Sequence, residues 1–447
     1  MRLRTAAFVG VVALAAQATA VRPVAALDVP SAKTAIARIL DKDGTRLETL
    51  YKDIHAHPEL GLTETRTAAK LAAEMRAVGF SVTEGVGKTG VVAIYKNGPG
   101  PLVMVRTELD GLPMEEKTGL PYASTSKQIW NGREVYTAHS CGHDIHMASW
   151  VGAGRALVEL KDQWSGTLMF IAQPAEESAG GPEDMIADRL FDRFGKPDLG
   201  FALHVGSDPA GEVSYKPGVL TSNSDSFTIQ FVGRGGHGSM PSAAIDPVVM
   251  AARFVIDVQS VVSREKPAGE FGVITVGAIE GGSAGNIIPD RVTVRGTVRS
   301  YSPEVRKLLA DGIQRTAAAV AMMARAPEPE IRLIPGGTAV VNDAKLAETT
   351  GALFRTAFGD KAIRNEEPGS ASEDYSVFVL AGIPSMYFGI GGYDPAKIAD
   401  AKAKGTEVPF NHSPQFAPIP GPTIRTGVEA MTLAVMNAMP KEPAQQR

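Results

Sequence analysis

Apolar residues recur at helical spacing over residues 31–52 and again over 64–79, where Gly79 supplies a C-terminal stop. Short β-rich runs bounded by glycine and proline follow at 90–95 and 102–107. The pattern then predicts a helix over 147–160 and buried strands at 167–172 and 200–204. Alternation of this kind builds a mostly parallel sheet with helices on both faces, an α/β architecture.

From about residue 219 the texture changes. A strand (226–232), a long helix (246–264), two strands (271–279, 290–299), a helix (303–324) and a last strand (329–335) give the order βαββαβ. That order is a ferredoxin-like α+β sandwich. The α/β texture returns with a helix at 343–357, a helix after Asp374, a strand at 385–390 and a closing helix at 421–438. The reading is therefore a larger α/β domain in two parts, 27–218 and 342–447, interrupted by a small inserted α+β domain at 219–341.

Residues 1–26 stand apart. Arg2 and Arg4 precede an almost wholly small or apolar stretch, with small residues at Ala18 and Ala20, or at Val24 and Ala26, suiting a signal-peptide cleavage site. The run is short, alanine-rich and broken by Gln17 and Thr19, which argues against a membrane anchor. An exported, periplasmic or secreted protein is expected. Removing this segment takes away Arg2, Arg4 and Arg22 and no acids, so the net charge of −4 becomes −7. With no basic block, nothing in the charge pattern suits nucleic acid. No later stretch is long and apolar enough to span a bilayer.

Cys141 is the only cysteine, so export brings no internal disulfide. A lone cysteine is ordinarily a small buried hydrophobe, but this one sits in HSCGHDIH with His139, His143 and His146 around it. His204 and His412 lie where a strand or loop ends, and Glu176 and Glu177 follow a predicted strand in QPAEES. Thiolate, imidazole and carboxylate together suit zinc-like metals, and two ions need more than four ligands. Strand ends are where α/β folds place such sites. Of two adjacent glutamates, one can ligate while its neighbour faces the bound water as a proton acceptor; a solvated acidic turn would be the plain alternative for the pair alone.

Seven motifs then occur in order: RTELDGLP (106–113), HSCGHDIH (139–146), QPAEE (173–177), GHGSMP (236–241), GSAGNIIPD (282–290), SEDY (372–375) and NHSPQF (411–416). From about residue 45 onward the chain resembles a metallopeptidase-like amidohydrolase family. It contains hippurate hydrolase, the indole-3-acetyl-amino-acid hydrolases and N-acyl-amino-acid amidohydrolases, and is related to aminoacylase and glutamate carboxypeptidase. The resemblance implies two divalent metals per chain, zinc first with manganese or cobalt as substitutes. Its implied ligands are Cys141, His143, Glu177, His204 and His412, with Cys141 a candidate bridge. It further implies the inserted domain as a lid and dimerisation unit, Glu176 as general base, Asp110 orienting a ligand, and His237 stabilising the oxyanion, within its own chain or across the interface of a homodimer formed through the inserted domain. Asn286 and Arg299 are implied as contacts to the substrate carbonyl or carboxylate.

Plainer readings stand beside these. His237 lies among glycines that could form a solvated turn, and Arg299 also fits an exposed strand. His55 and His57, two residues apart, suit no single helix face as a metal pair and are read as structural. His139 and His146 are read as supporting or core residues. Glu373 and Asp374 either support the metal shell or cap the next helix, and Gly389 to Gly392 either bring amides near a carboxylate or form a turn. Three residues depart from the family pattern: Thr107 for alanine, Glu108 for aspartate, and Ile145 for a small residue, which is expected to narrow the pocket. The expected activity is hydrolysis of the amide of an N-acyl or N-aroyl amino acid by metal-activated water. The rivals are a dipeptidase or carboxypeptidase acting on unmodified peptides and a non-catalytic periplasmic protein that binds acyl-amino acids.

Overall fold

The computed structural model describes residues 27–178 and 180–441; the expected signal segment, 1–26, lies outside them. The catalytic body opens with α1 (Val29–His55), whose first turn is capped by the Asp28 carboxylate accepting the Ser31 N–H at 3.2 Å, and α2 (Thr65–Ala77). Strands β1 (Ser81–Val86), β2 (Gly90–Asn97) and β3 (Leu102–Glu108) lead to α3 (His143–Glu159), then β4 (Gly166–Gln173), β5 (Leu199–Pro209) and β6 (Val213–Tyr215). β3 and β4 are buried along nearly their whole length, as expected of strands covered on both faces.

The inserted unit comprises β7 (Asn223–Val232), α4 (Pro247–Asp257), β8 (Gly272–Glu280), β9 (Arg291–Ser300), α5 (Pro303–Met323) and β10 (Glu330–Pro335). Its antiparallel sheet has the order β8-β9-β7-β10, the ferredoxin-like arrangement. Phe227, Ile229 and Phe231, alternating along β7, pack under α4 and α5 with Phe254 and Ile313. The long helix expected at 246–264 is shorter than its periodicity suggests. α4 ends at Asp257, and Val261–Glu265 form a wider, π-type turn. Both geometries carry apolar residues at nearly the same spacing, so the pattern continued through the break.

The chain returns to the body through α6 (Ala344–Phe358), β11 (Ala362–Arg364), α7 (Ser376–Leu380), β12 (Ser385–Tyr393) and α8 (Pro420–Ala438). The eight-stranded sheet runs β1-β2-β4-β3-β5-β12-β6-β11, and its centre, β4-β3-β5-β12, is parallel throughout. α3 packs against both α1 and α8 on one face of this sheet. Register sets the site: Glu108 at the end of β3 lies opposite Gln173 at the end of β4, and His204 on β5 lies opposite Gly389 on β12. The carboxyl ends of four parallel strands therefore open into one crevice. Among the described residues no helix is long and apolar enough to cross a membrane.

Candidate metal centre

α3 begins earlier than the apolar pattern predicts, at His143 rather than 147. Gly142 caps it at φ +94°, and a Cβ there would come within 2.3 Å of Val205 Cγ1, so only glycine fits. This tight entry places Cys141 just before the helix and His143 in its first turn. The Asn411 side chain then clamps the segment by donating to the carbonyls of Cys141 (2.7 Å) and Val205 (3.0 Å). The His412 N–H donates to Ser140 O at 2.7 Å. His412 itself is held in the left-handed region at φ +67°. Residues 270 positions apart in sequence thus form one wall.

Ligand-capable atoms converge in five overlapping groups among the described residues, each spanning no more than 4.8 Å, and three of them are built on the expected ligands: Cys141, His143 and His204; Cys141, Glu177 and His412; and His143, Glu176 and Glu177. Cys141 belongs to the first two. His143 Nδ1 faces the Asp110 carbonyl at 2.8 Å and His204 Nδ1 faces the Val205 carbonyl at 2.8 Å. Those contacts commit Nδ1 as the donor, so that in the neutral ring each Nε2 carries the lone pair a metal would take. His143 Nε2 is buried without a hydrogen-bond partner, 3.8 Å from Glu176 Oε2, and His204 Nε2 lies 3.4 Å from Cys141 Sγ. An orphaned buried imidazole nitrogen is costly unless something else binds there. With sulfur, nitrogen and oxygen donors around it, the site fits divalent metal.

Of the other histidines, His146 and His55 have both ring nitrogens hydrogen-bonded. His146 donates from Nδ1 to Glu108 (2.9 Å) and accepts the Val205 N–H at Nε2 (2.8 Å), so both nitrogens are occupied. His55 bridges Asp144 (2.6 Å) and Glu116 (3.1 Å) beneath α3. Burial alone would lower its pKa, but the two carboxylates outweigh that and hold it up to about 10. His57 is exposed, and His139 is buried outside the ligand groups, where desolvation pushes it down to about 4.

Glu176 and Glu177 ride on the turn after β4. Glu177 donates its N–H to Asp110 Oδ2 at 2.9 Å, and its Oε1 lies 3.3 Å from His412 Nε2. Burial, reinforced by Glu373, Asp374 and Glu177, pushes the Glu176 carboxyl well above the ordinary glutamate range. Burial likewise pushes the Cys141 thiol up, with Glu177 adding to it. A bound cation reverses both effects.

Behind this wall lies a polar network that local sequence reading did not find. Arg106, fully buried on β3, donates to Glu373 and Asp374 (both 2.8 Å), to Gln173 (2.9 Å) and to Glu108. Tyr387 donates to Glu373 Oε2 at 2.6 Å. Glu108, longer than the aspartate usual there, spans the gap from Arg106 to His146. Glu373 and Asp374 therefore anchor Arg106 and face Glu176. Ile145 corrects an expectation: its side chain is fully buried in the main core and does not line the crevice, because the first turn of α3 directs it inward.

The crevice, about 680 Å³, is lined by Cys141, Glu176, Glu177, His204 and His412, by Gly389 on β12, and by Arg299 from the lid strand β9. His237 and Asn286 are not brought to it. They share a separate lid groove beside the two-residue ribbon Gly236–His237 and Ile287–Ile288, with His237 exposed.

A parallel-centred α/β body with a ferredoxin-like lid, and a thiolate–imidazole–carboxylate cluster at the strand ends between them, is the architecture of a metal-dependent hydrolase. Residues 104–406 match the model of peptidase family M20/M25/M40. The chain is 36% identical over 350 residues to hippurate hydrolase of Campylobacter jejuni, covering 77% of this chain and 87% of that protein. It is 34% identical over 352 residues to N-acetyl-L-cysteine deacetylase of Bacillus subtilis, covering 77% and 80% respectively. Among solved structures it resembles the Bacillus subtilis YXEP protein, described as a dinuclear metal binding peptidase of the M20 family. That likeness has a TM-score of 0.71 at 26% identity, covering 88% of this chain and 98% of the other. The chain belongs to the M20/M25/M40 peptidase family and is a metal-dependent amidohydrolase.

Proposed function

We propose that this protein is exported and hydrolyses the amide bond of N-acyl or N-aroyl amino acids, using two divalent metals and Glu176 as general base. The observation that carries the reading is the pairing on one turn of Glu177, beside Cys141 and His412, with Glu176, which faces His143 and the crevice. Cys141, shared by two ligand groups, is the candidate bridging donor; His143, His204, Glu177 and His412 complete the set, with zinc the best match to the thiolate. When bound, such metals supply Lewis acidity that activates water and polarises the amide carbonyl.

The chain's own groups do the rest. Glu176 takes the water's proton and returns it to the leaving amine. Asp110 fixes the Glu177 backbone and backs His143. Arg299, entering from the lid, grips the free α-carboxylate, which gives a carboxypeptidase-like preference. His237 and Asn286 serve the oxyanion and the substrate only after the lid closes or when the lid of a second copy approaches. The exposed apolar residues of α4, Val248, Val249 and Ile256, support a homodimer through the inserted unit.

The test uses the protein recovered after export. Its mass is expected to lack residues 1–26, its size in solution to be that of a dimer, and its metal content to be about two per chain. N-benzoyl and N-acetyl amino acids should be cleaved at least about 100-fold faster than unmodified dipeptides. Chelation should abolish the rate, and zinc, manganese or cobalt should restore it. Faster cleavage of unmodified dipeptides would make the protein a peptidase. No cleavage after metal loading would leave the binding-protein reading.

A further inference from the structure

The loop 56–64 between α1 and α2 touches both carboxylate-bearing turns of the site. Leu60 pairs with Gly111 in a parallel bridge, and the Gly111 N–H donates to Glu59 O at 2.8 Å, one residue beyond Asp110. At its other end Glu64, fully buried, accepts the Ala175 N–H on Oε1 at 2.8 Å and the Thr89 hydroxyl on Oε2 at 2.6 Å. Ala175 immediately precedes Glu176 and is held at φ +54°, a left-handed conformation that a residue with a Cβ enters rarely and at a cost. Gly61 completes the brace. A Cβ on it would lie 3.1 Å from the Cα and Cβ of Ala175 and collide with Ser178 Oγ.

We infer that Glu64 is a positioning residue for hydrolysis: through the Ala175 N–H it locks the left-handed turn that aims Glu176 into the crevice while Glu177 points to the metal ligands. This rests on the proposed role of Glu176. Without the hydrogen bond, Ala175 relaxes toward ordinary backbone angles and rotates the Glu176 side chain off its line. Burial, with Asp110 nearby, pushes the Glu64 carboxyl up to about 7. Its neutral form is thus accessible near neutrality, and glutamine, whose carbonyl can also accept the Ala175 N–H, is a close substitute.

The experiment compares Glu64→Ala, Glu64→Gln and Glu176→Gln in the metal-loaded enzyme, with Glu64→Ala/Glu176→Gln as the double variant. Glu64→Ala is expected to lower kcat on the order of 10- to 100-fold with KM and metal content nearly unchanged. Glu64→Gln should keep most of the rate. In the Glu176→Gln background, Glu64→Ala should cost nothing further, because it acts through the base that is already absent. Full kcat in a folded Glu64→Ala, or the same fold-loss in both backgrounds, overturns the inference. If Glu64→Ala does not fold, Thr89→Val takes its place, with a several-fold loss of kcat expected and an unchanged kcat overturning the proposal. Wild-type rate in Glu176→Gln would instead overturn the underlying assignment of the base, an outcome read independently of Glu64.

Discussion

Glu176→Gln is expected to lower kcat by about 10²- to 10⁴-fold, the usual worth of a positioned general base, while KM and bound metal stay close to wild type. The substitution keeps shape and hydrogen-bonding capacity but removes the basic oxygen. Glu176 is not required for the donor groups built on Cys141, so metal content separates loss of a base from loss of a ligand. The pH profile carries the same information with a definite sign. Glu176 works ionised, and its carboxyl is raised by burial and by Glu373, Asp374 and Glu177. The wild-type rate should therefore fall as pH drops through its pKa, which the neighbouring acids move up and the bound cations move down. The residual rate of the glutamine variant should lack that acid limb. An unchanged turnover, measured with metal content confirmed, rejects the assignment.

The outline of the fold was legible because both periods were written clearly. Continuous apolar runs marked the buried parallel strands, and the βαββαβ order of the insert corresponds to the β8-β9-β7-β10 sheet. Cys141, His143, Glu177, His204 and His412 drew notice because rare ligand types stood at strand or loop ends, and these five converge. The start of α3 was missed because three residues of its first turn, His143, Asp144 and His146, are polar yet buried, with hydrogen-bond partners that come from elsewhere in the chain. Arg106 lay in a noted motif, but its partners Glu373 and Asp374 are 267 and 268 positions away, and no local period encodes such a distance. Glu64 was invisible for the same reason, 111 positions from Ala175. His237 and Asn286 were each expected at the site, but His237 on its two-residue strand and Asn286 just before the facing strand line one lid groove instead of the crevice.

Arg106→Met is expected to be the most destabilising single change in the body, by about 3–5 kcal/mol in denaturant unfolding. The guanidinium is fully buried and is the only cation that contacts Glu108, Glu373 and Asp374 among the described residues. Methionine fills comparable volume but takes the counter-charge from Glu373 and Glu108 and a donor from Asp374, whose own carboxyl is held well above the ordinary range by burial, and an orphaned buried charge costs far more than a surface pair ever contributes. The direction of the pH dependence makes the cause testable. In the wild type, burial is the largest influence and opposes ionisation of Glu373, but Arg106 together with the Tyr387 hydrogen bond and His204 outweighs it, so its pKa sits below the ordinary value. That contribution is present above the unfolded pKa and is lost as pH falls through the folded one. In the variant the desolvation remains and the cation is gone, so the pKa rises above the unfolded value and the sign reverses. Stability is then retained at low pH and lost as pH rises through the new value. Arg106→Lys should fall between the two, keeping the charge but not the fork that reaches several acceptors at once. A loss in Arg106→Met that is the same at every pH would mean that packing, rather than the buried charge balance, is what Arg106 supplies.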